Sequence, residues 1–271
     1  MTTISTRYGR TWNLLDPQAS SVSFWEIAEV LARIPRFNGH TQEHYSVAQH
    51  CCLAHDHVCE DENPELRLLA LLHDAHEAYI GDIVTPVKEA LNSLIDGDQV
   101  EVWLEMLKTS HDRVIRKAAG VARIQDLEDL EQVKEVDKAL LLNEQYQLMH
   151  PSAFGRPEDK SIPVEPWEED LAAEEFLKRL NANPIYEQQM AQQGNLTHPQ
   201  FLHELEQRLI AFGFSPEQSE DAAGSHLIEF LDKAGYEFGA PERKWDQAFV
   251  EEVFNSGFWM SEDFWRVEDA S

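Results

Sequence analysis

Apolar residues recur at helical intervals along most of this 271-residue chain, and turn residues cut the pattern into segments. Asn63-Pro64-Glu65 has the form of a helix start, and the Leu68-Leu69-Ala70-Leu71-Leu72 run behind it can only be core. Residues 98–119 and 127–149 read as two longer helices. In the second of these, Val133, Val136, Leu140 and Leu141 mark a buried stripe. Thr85-Pro86 looks like a further start, with Thr as N-cap and Pro at the first helical position. Residues 150–167 are dense in Pro and turn formers and predict a domain-edge loop, followed by a helix over 167–180. Residues 192–200 read as a linker, and residues 201–214 beyond it are amphipathic. Ser215-Pro216-Glu217 opens another helix that Gly235 closes, and residues 241–259 supply a third. No strand-rich region, internal repeat or Gly-rich phosphate loop is visible. The expected architecture is all-α, with one helical domain over residues 1–183 and a small helical C-terminal module over 195–271. That module is rich in aromatic residues that need burial: Trp245, Phe249, Phe254, Phe258, Trp259, Phe264 and Trp265.

Polar residues intrude on this apolar pattern at one place above all. Seven of the twelve histidines lie between His40 and His76, and the pair His73-Asp74 follows directly on the leucine run. Burying an unpaired carboxylate costs several kcal/mol or forces it to take up a proton. A bound cation removes that penalty. Two further segments can contribute. His50 lies on the apolar-patterned stretch YSVAQHCCLAHDHV, and Asp137 sits beside the stripe of the 127–149 helix. His50, His73, Asp74 and Asp137 would then come from three helices and converge in one core. Mixed imidazole and carboxylate donors suit one divalent ion: Mn, Co, Fe, Ni, Zn or, less well, Mg. Four protein ligands with room for water describe an open catalytic site. A helix carrying His73 and Asp74 would also present Glu77 on the same side.

The order of these residues resembles that of the HD-domain metal-dependent phosphohydrolases, and more closely the bacterial 5′-deoxynucleotidases among them. The likeness rests on Arg36-Phe37, Ala48-Gln49-His50-Cys51, His73-Asp74-Ala75-His76-Glu77 and the run Gly81-Asp82-Ile83-Val84-Thr85-Pro86-Val87-Lys88, and covers roughly residues 22–150. It implies an HD-type helical bundle and removal of phosphate from deoxynucleoside 5′-monophosphates. It implies catalytic roles for Glu77 and Asp82: one carboxyl serves the leaving oxygen, the other the attacking water. Arg36 is the candidate phosphate clamp, because its planar fork matches two phosphate oxygens. Phe37 would wall in the sugar; it stands where the family carries a Trp that helps exclude a ribose 2′-hydroxyl. Thr85 and Lys88, at a helix N-terminus, are candidate phosphate contacts. The His50-to-His73 spacing is shorter than the family's, so the intervening loop is trimmed. Glu43-His44 imitates the family's Glu-His pair, but His50 fits the surrounding pattern better as first ligand. His40, His44, His55 and His57 are not expected to be ligands, and His76 is either behind the ligands or exposed. Two other functions fit the same motifs: release of tripolyphosphate from a deoxynucleoside triphosphate, or a nucleotide sensor that keeps the metal for stability.

Charge narrows the partners. The net charge is −28, which argues against binding a nucleic-acid polymer, since that needs a basic footprint. Residues 1–157 carry 14 Lys+Arg and 25 Asp+Glu, or −11; residues 158–271 carry 8 and 25, or −17. A single nucleotide held by a cation and one Arg remains compatible. No apolar run is long enough to span a bilayer, and the first residues lack a signal-peptide pattern. Cys51, Cys52 and Cys59 are odd in number and clustered, which suggests free thiols in a reducing, cytoplasmic setting. A nucleotide is thus the expected partner, not a membrane; a homo-oligomer is compatible with the sequence.

Overall fold

In the computed structural model, residues 2–7, 9–58, 63–94, 99–121, 127–150, 162–196, 200–203, 205–206, 246, 248–250 and 253 are described. The chain divides into two compact units, Met1–Tyr186 and Glu187–Ser271. The fold is all-α; among the described residues the strands form one short antiparallel hairpin, β1 (Thr3–Ser5) and β2 (Thr11–Asn13), in which Ile4 pairs with Trp12. Among the described residues no helix is long and apolar enough to cross a membrane.

The first unit is a bundle centred on α2 (Val47–His57), which packs against α1 (Phe24–Arg33), α3 (Pro64–Leu71), α7 (Leu127–Leu148) and α8 (Glu169–Asn181). Local chemistry sets where these helices begin. The Ser23 hydroxyl accepts from Glu26 N–H and the Ser46 hydroxyl from Gln49 N–H, each closing a first turn. Asn63 Oδ1 accepts from both Glu65 and Leu66 N–H ahead of Pro64, so the start expected there is present.

Every residue of α2 from Val47 to Ala54 is buried. A helix buried on all sides must satisfy its polar side chains internally. Gln49 does so by gripping the extended 165–167 segment: its amide donates to Glu165 O at 2.6 Å and accepts from Trp167 N–H at 2.9 Å. Asn143 and Gln147 on α7 hold the preceding stretch the same way, through Ile162 and Val164. Arg179 on α8 ties down the end of α2 with a forked pair to Asp56, at 2.9 and 2.6 Å.

The helix expected to carry His73 and Asp74 is interrupted there. α3 ends at Leu71, residues 72–76 turn, and a single-turn helix, α4 (Glu77–Ile80), follows. The turn is closed by tighter, i+3-type bonds: Ala75 N–H to Leu72 O and Glu77 N–H to Asp74 O. The cause is visible in the side chains. His73 Nδ1–H donates to Ala70 O at 2.7 Å, so an imidazole competes with the backbone ladder at the point where the helix stops. Gly81 then adopts φ 79°, ψ 162°, a conformation open essentially only to glycine, and turns the chain away from α4.

α5 (Thr85–Leu94) and α6 (Gln99–Ala118) pack together, and Val87, Leu94, Val102, Trp103 and Met106 on them are exposed. The hairpin brings Trp12 onto Tyr79 of α4, rings stacked at 3.8 Å, which fixes α4 from behind. α9 (Pro184–Gln192) is a helix that the sequence pattern had not marked. In the second unit Phe201, Leu205, Phe249, Val250 and Val253 are buried, with the Phe201 and Phe249 rings 5.2 Å apart. The other aromatic residues singled out in the tail, the helix expected over 215–235, and Cys59 lie outside the described residues.

Candidate metal centre

Two helices and one turn deliver four donors to a single point. His50 comes from the buried middle of α2, His73 and Asp74 from the turn after α3, and Asp137 from α7. His50 Nε2 lies 3.1 Å from His73 Nε2 and 3.1 Å from Asp137 Oδ1. His73 Nε2 lies 3.1 Å from Asp74 Oδ2 and 3.9 Å from Asp137 Oδ1. His50, His73 and Asp74 form a group that could hold a metal ion. The donors grade from inside to outside: the His50 side chain is 0% exposed, His73 11%, Asp74 13% and Asp137 42%. The cluster therefore opens at Asp137 and is closed behind His50.

Hydrogen bonds fix which imidazole nitrogens are free. His50 Nδ1–H donates to Glu144 Oε1 at 2.6 Å, and His73 Nδ1–H donates to Ala70 O. Both Nε2 lone pairs then point at one another across 3.1 Å, flanked by carboxylate oxygens. Four lone-pair donors facing inward repel unless a positive charge lies between them. Ligands at adjacent corners of an octahedron with bonds of about 2.1 Å stand about 3.0 Å apart, so these separations fit a divalent ion. The same field acts on protons. Burial opposes charge on His73, but Asp74 and its hydrogen bond outweigh that and raise the His73 pKa. Burial also opposes ionised Asp74, yet His73 and His50 hold it well below the usual carboxylate range.

Glu144 is the anchor of the arrangement. It is fully buried on α7 and accepts from His50, from Tyr45 O–H at 2.7 Å and from Arg36 Nε–H at 3.1 Å. Burial pushes its carboxyl upward, but His50, Arg36 and these hydrogen bonds bring it down to about 2. A carboxylate behind a ligating histidine sets its tautomer and orientation. Arg36 is correspondingly committed: buried, its Nε on Glu144, its NH1 3.6 Å from Asp74 Oδ2. Its loop is tied by Arg36 N–H to Tyr45 O and by a bridge between Pro35 and Ser46. The tie holds Phe37 and Asn38 at φ 57° and 52°, strained for residues with side chains.

No family model matches this chain. An uncharacterized protein of Rhodobacter capsulatus is 43% identical over 89 residues, which are 31% of this chain and 45% of that protein. The uncharacterized protein YfdR of Escherichia coli K12 is 31% identical over 162 residues, 58% of this chain and 81% of YfdR. The chain belongs to the YfdR family. Neither relative's description names an activity, so chemistry has to be argued from the side chains themselves.

Of the remaining residues singled out in this YfdR-family chain, Glu77 and Asp82 lie within the field of Asp74. Glu77 is buried on α4, and its Oε2 has no hydrogen-bond partner. Burial first, then Asp74 and Asp82, raise its carboxyl well above the ordinary range. Asp82, just past Gly81, is also raised by burial and by Asp74, against the pull of Arg36 and Lys88. Lys88 is half-buried and Thr85 exposed, at the first turn of α5. Phe37 is half-buried, with its ring 5.5 Å from the Arg36 guanidinium. His44 is exposed and bonds Ala32 O, away from the cluster. His76 is buried, with Nδ1 3.0 Å from Asp112 Oδ1. Cys51 and Cys52 are buried free thiols. Sequence reasoning had missed Glu144, Tyr45 and Lys108, whose Nζ lies 4.0 Å from Asp74 Oδ1. Glu144 was findable: it is seven residues beyond Asp137, two helical turns along the same face. Nothing local marks Tyr45 or Lys108.

Proposed function

We propose that this protein is a metal-dependent phosphohydrolase that removes phosphate from deoxynucleoside 5′-monophosphates. The observation that carries the reading is the convergence of the His50 and His73 Nε2 atoms with Asp74 and Asp137, with both Nδ1–H groups locked by Glu144 and Ala70 O. A divalent ion held there would lower the pKa of water and neutralise a phosphate oxygen. Asp137, the most exposed of the four, marks the side from which substrate enters. Glu77 lies beside Asp74 with a carboxyl biased toward its protonated form, and so can donate a proton to the departing nucleoside oxygen. Asp82, on the loop that Gly81 turns, supplies the second carboxyl, to orient the attacking water. Arg36 lends positive charge to the phosphate side while Glu144 fixes its position. Lys88 and Thr85, at the start of α5, extend that positive side.

The test is product analysis with purified protein, Mn²⁺ or Co²⁺, and a panel of deoxynucleoside mono- and triphosphates. Inorganic phosphate from the monophosphates, abolished by chelator and restored by metal, is the expected result. Tripolyphosphate from a triphosphate would replace the substrate assignment while keeping the metal centre. No product with any metal or nucleotide would overturn the reading.

A further inference from the structure

Asp74 also belongs to a second set of donors. Asp74, His76 and Glu77 each offer a ligand atom within 4.8 Å of the others. His76 and Glu77 are 4% and 8% exposed, and His76 Nδ1 and Glu77 Oε2 are buried without a hydrogen-bond partner. Asp112 Oδ1 on α6 is likewise without one, although it lies 3.0 Å from His76 Nδ1: the two atoms are close but not aligned as donor and acceptor. Buried polar atoms are normally paired, and each one left over asks for a partner. The nearby cations do not supply it. Lys108 Nζ stands 4.0 Å from Asp74 Oδ1, and Arg116 NH2 is 3.5 Å from the other oxygen of Asp112, Oδ2.

We infer that Asp74, His76 and Glu77, with Asp112 behind His76, form a second divalent-cation site beside the first. Its donors are carboxylate oxygens and one imidazole, a set suited to Mn²⁺ or Zn²⁺. Asp74 belongs to both groups. Its Oδ2 lies 3.1 Å from His73 Nε2 and its Oδ1 4.0 Å from Lys108 Nζ, so the two oxygens face different neighbours. The second site is the weaker, because Lys108 already answers part of its charge. The consequence for turnover rests on the reaction proposed above. A Glu77 carboxylate that ligates a cation cannot carry the proton for the leaving oxygen. Filling the second site therefore shuts off proton delivery, and excess divalent ion inhibits.

The test is equilibrium dialysis of the full chain against Mn²⁺ alone, with bound metal measured by elemental analysis. Wild type, His76→Ala, Asp112→Asn and Asp137→Ala are compared. The expected result is two classes of bound Mn²⁺ in the wild type. His76→Ala and Asp112→Asn weaken the looser class by about tenfold or more and spare the tighter one. Asp137→Ala does the reverse. Turnover of a deoxynucleoside monophosphate by the wild type rises and then falls with Mn²⁺, and the fall is lost in His76→Ala. Should His76→Ala lose its helical circular dichroism, Asp112→Asn decides. A single class of Mn²⁺ that depends on Asp137 and ignores His76 and Asp112 overturns the second site and leaves the proposed reaction standing. No bound Mn²⁺ in the wild type overturns both.

Discussion

Replacing Glu144 with Gln isolates the group that holds the candidate metal centre together. The substitution keeps the shape and removes one charge. Three donors, His50 Nδ1–H, Tyr45 O–H and Arg36 Nε–H, converge on the two carboxylate oxygens. Gln offers a single oxygen, and its NH2 would face one of those donors head-on. A hydrogen bond to a charged group contributes about 1.5–3 kcal/mol. Stranding one partner of a buried ion pair costs about 3–5 kcal/mol, and Arg36 keeps Asp74 at 3.6 Å as a partial substitute. A net loss of about 2–4 kcal/mol follows from those ranges. Metal affinity should fall about 10–100-fold, because the His50 ring loses the carboxylate that orients it. Urea unfolding of metal-free protein reads the first quantity, and competition against a metal-binding dye reads the second. Tyr45→Phe, which removes only one donor, should show about 1 kcal/mol and a smaller affinity change. Wild-type Mn²⁺ affinity in Glu144→Gln would refute the claim that this carboxylate sets the His50 tautomer.

Three further outcomes are expected. Glu77→Gln should lower kcat by about 100-fold or more while leaving the tighter metal class intact; unchanged turnover would remove Glu77 from the reaction. Gly81→Ala should cost about 1–3 kcal/mol in thermal stability and depress turnover by shifting Asp82, since its φ of 79° and ψ of 162° suit only glycine; a neutral effect on both would show that the turn relaxes freely. Burial alone would raise the Asp56 carboxyl, but its hydrogen bonds from His55 and Arg179 hold it well below the usual range. A depressed carboxylate stabilises the fold fully above its unfolded pKa, about 3.9, and that contribution is lost as pH falls through the lower folded value. Asp56→Asn should flatten the acid limb of stability below about pH 4, read by urea unfolding across pH 2–7; identical acid limbs would disprove it.

What the sequence determined is what depends on neighbours along the chain. The Asn63-Pro64 start, the burial of the leucine run and the extents of α6 and α7 rest on capping atoms and on a 3.6-residue period, and both are written in consecutive residues. The presence of an imidazole and an acid directly after that run also pointed to charge needing compensation in the core. α9 escaped because its apolar face is weak, with Tyr186 its one buried side chain. The break at His73 escaped because periodicity sees apolar spacing. It does not see an imidazole reaching back to Ala70 O.

Only the tertiary structure could decide who faces whom. Arg36, read as a candidate phosphate clamp, is held by Glu144, 108 residues away in the chain. The His50 tautomer is chosen by that same distant carboxylate, and the unpaired atoms of His76, Glu77 and Asp112 exist only because α4 and α6 meet there. Hydrogen bonds and ion fields act through space over a few ångströms. Residue order carries them only where the chain itself supplies both partners.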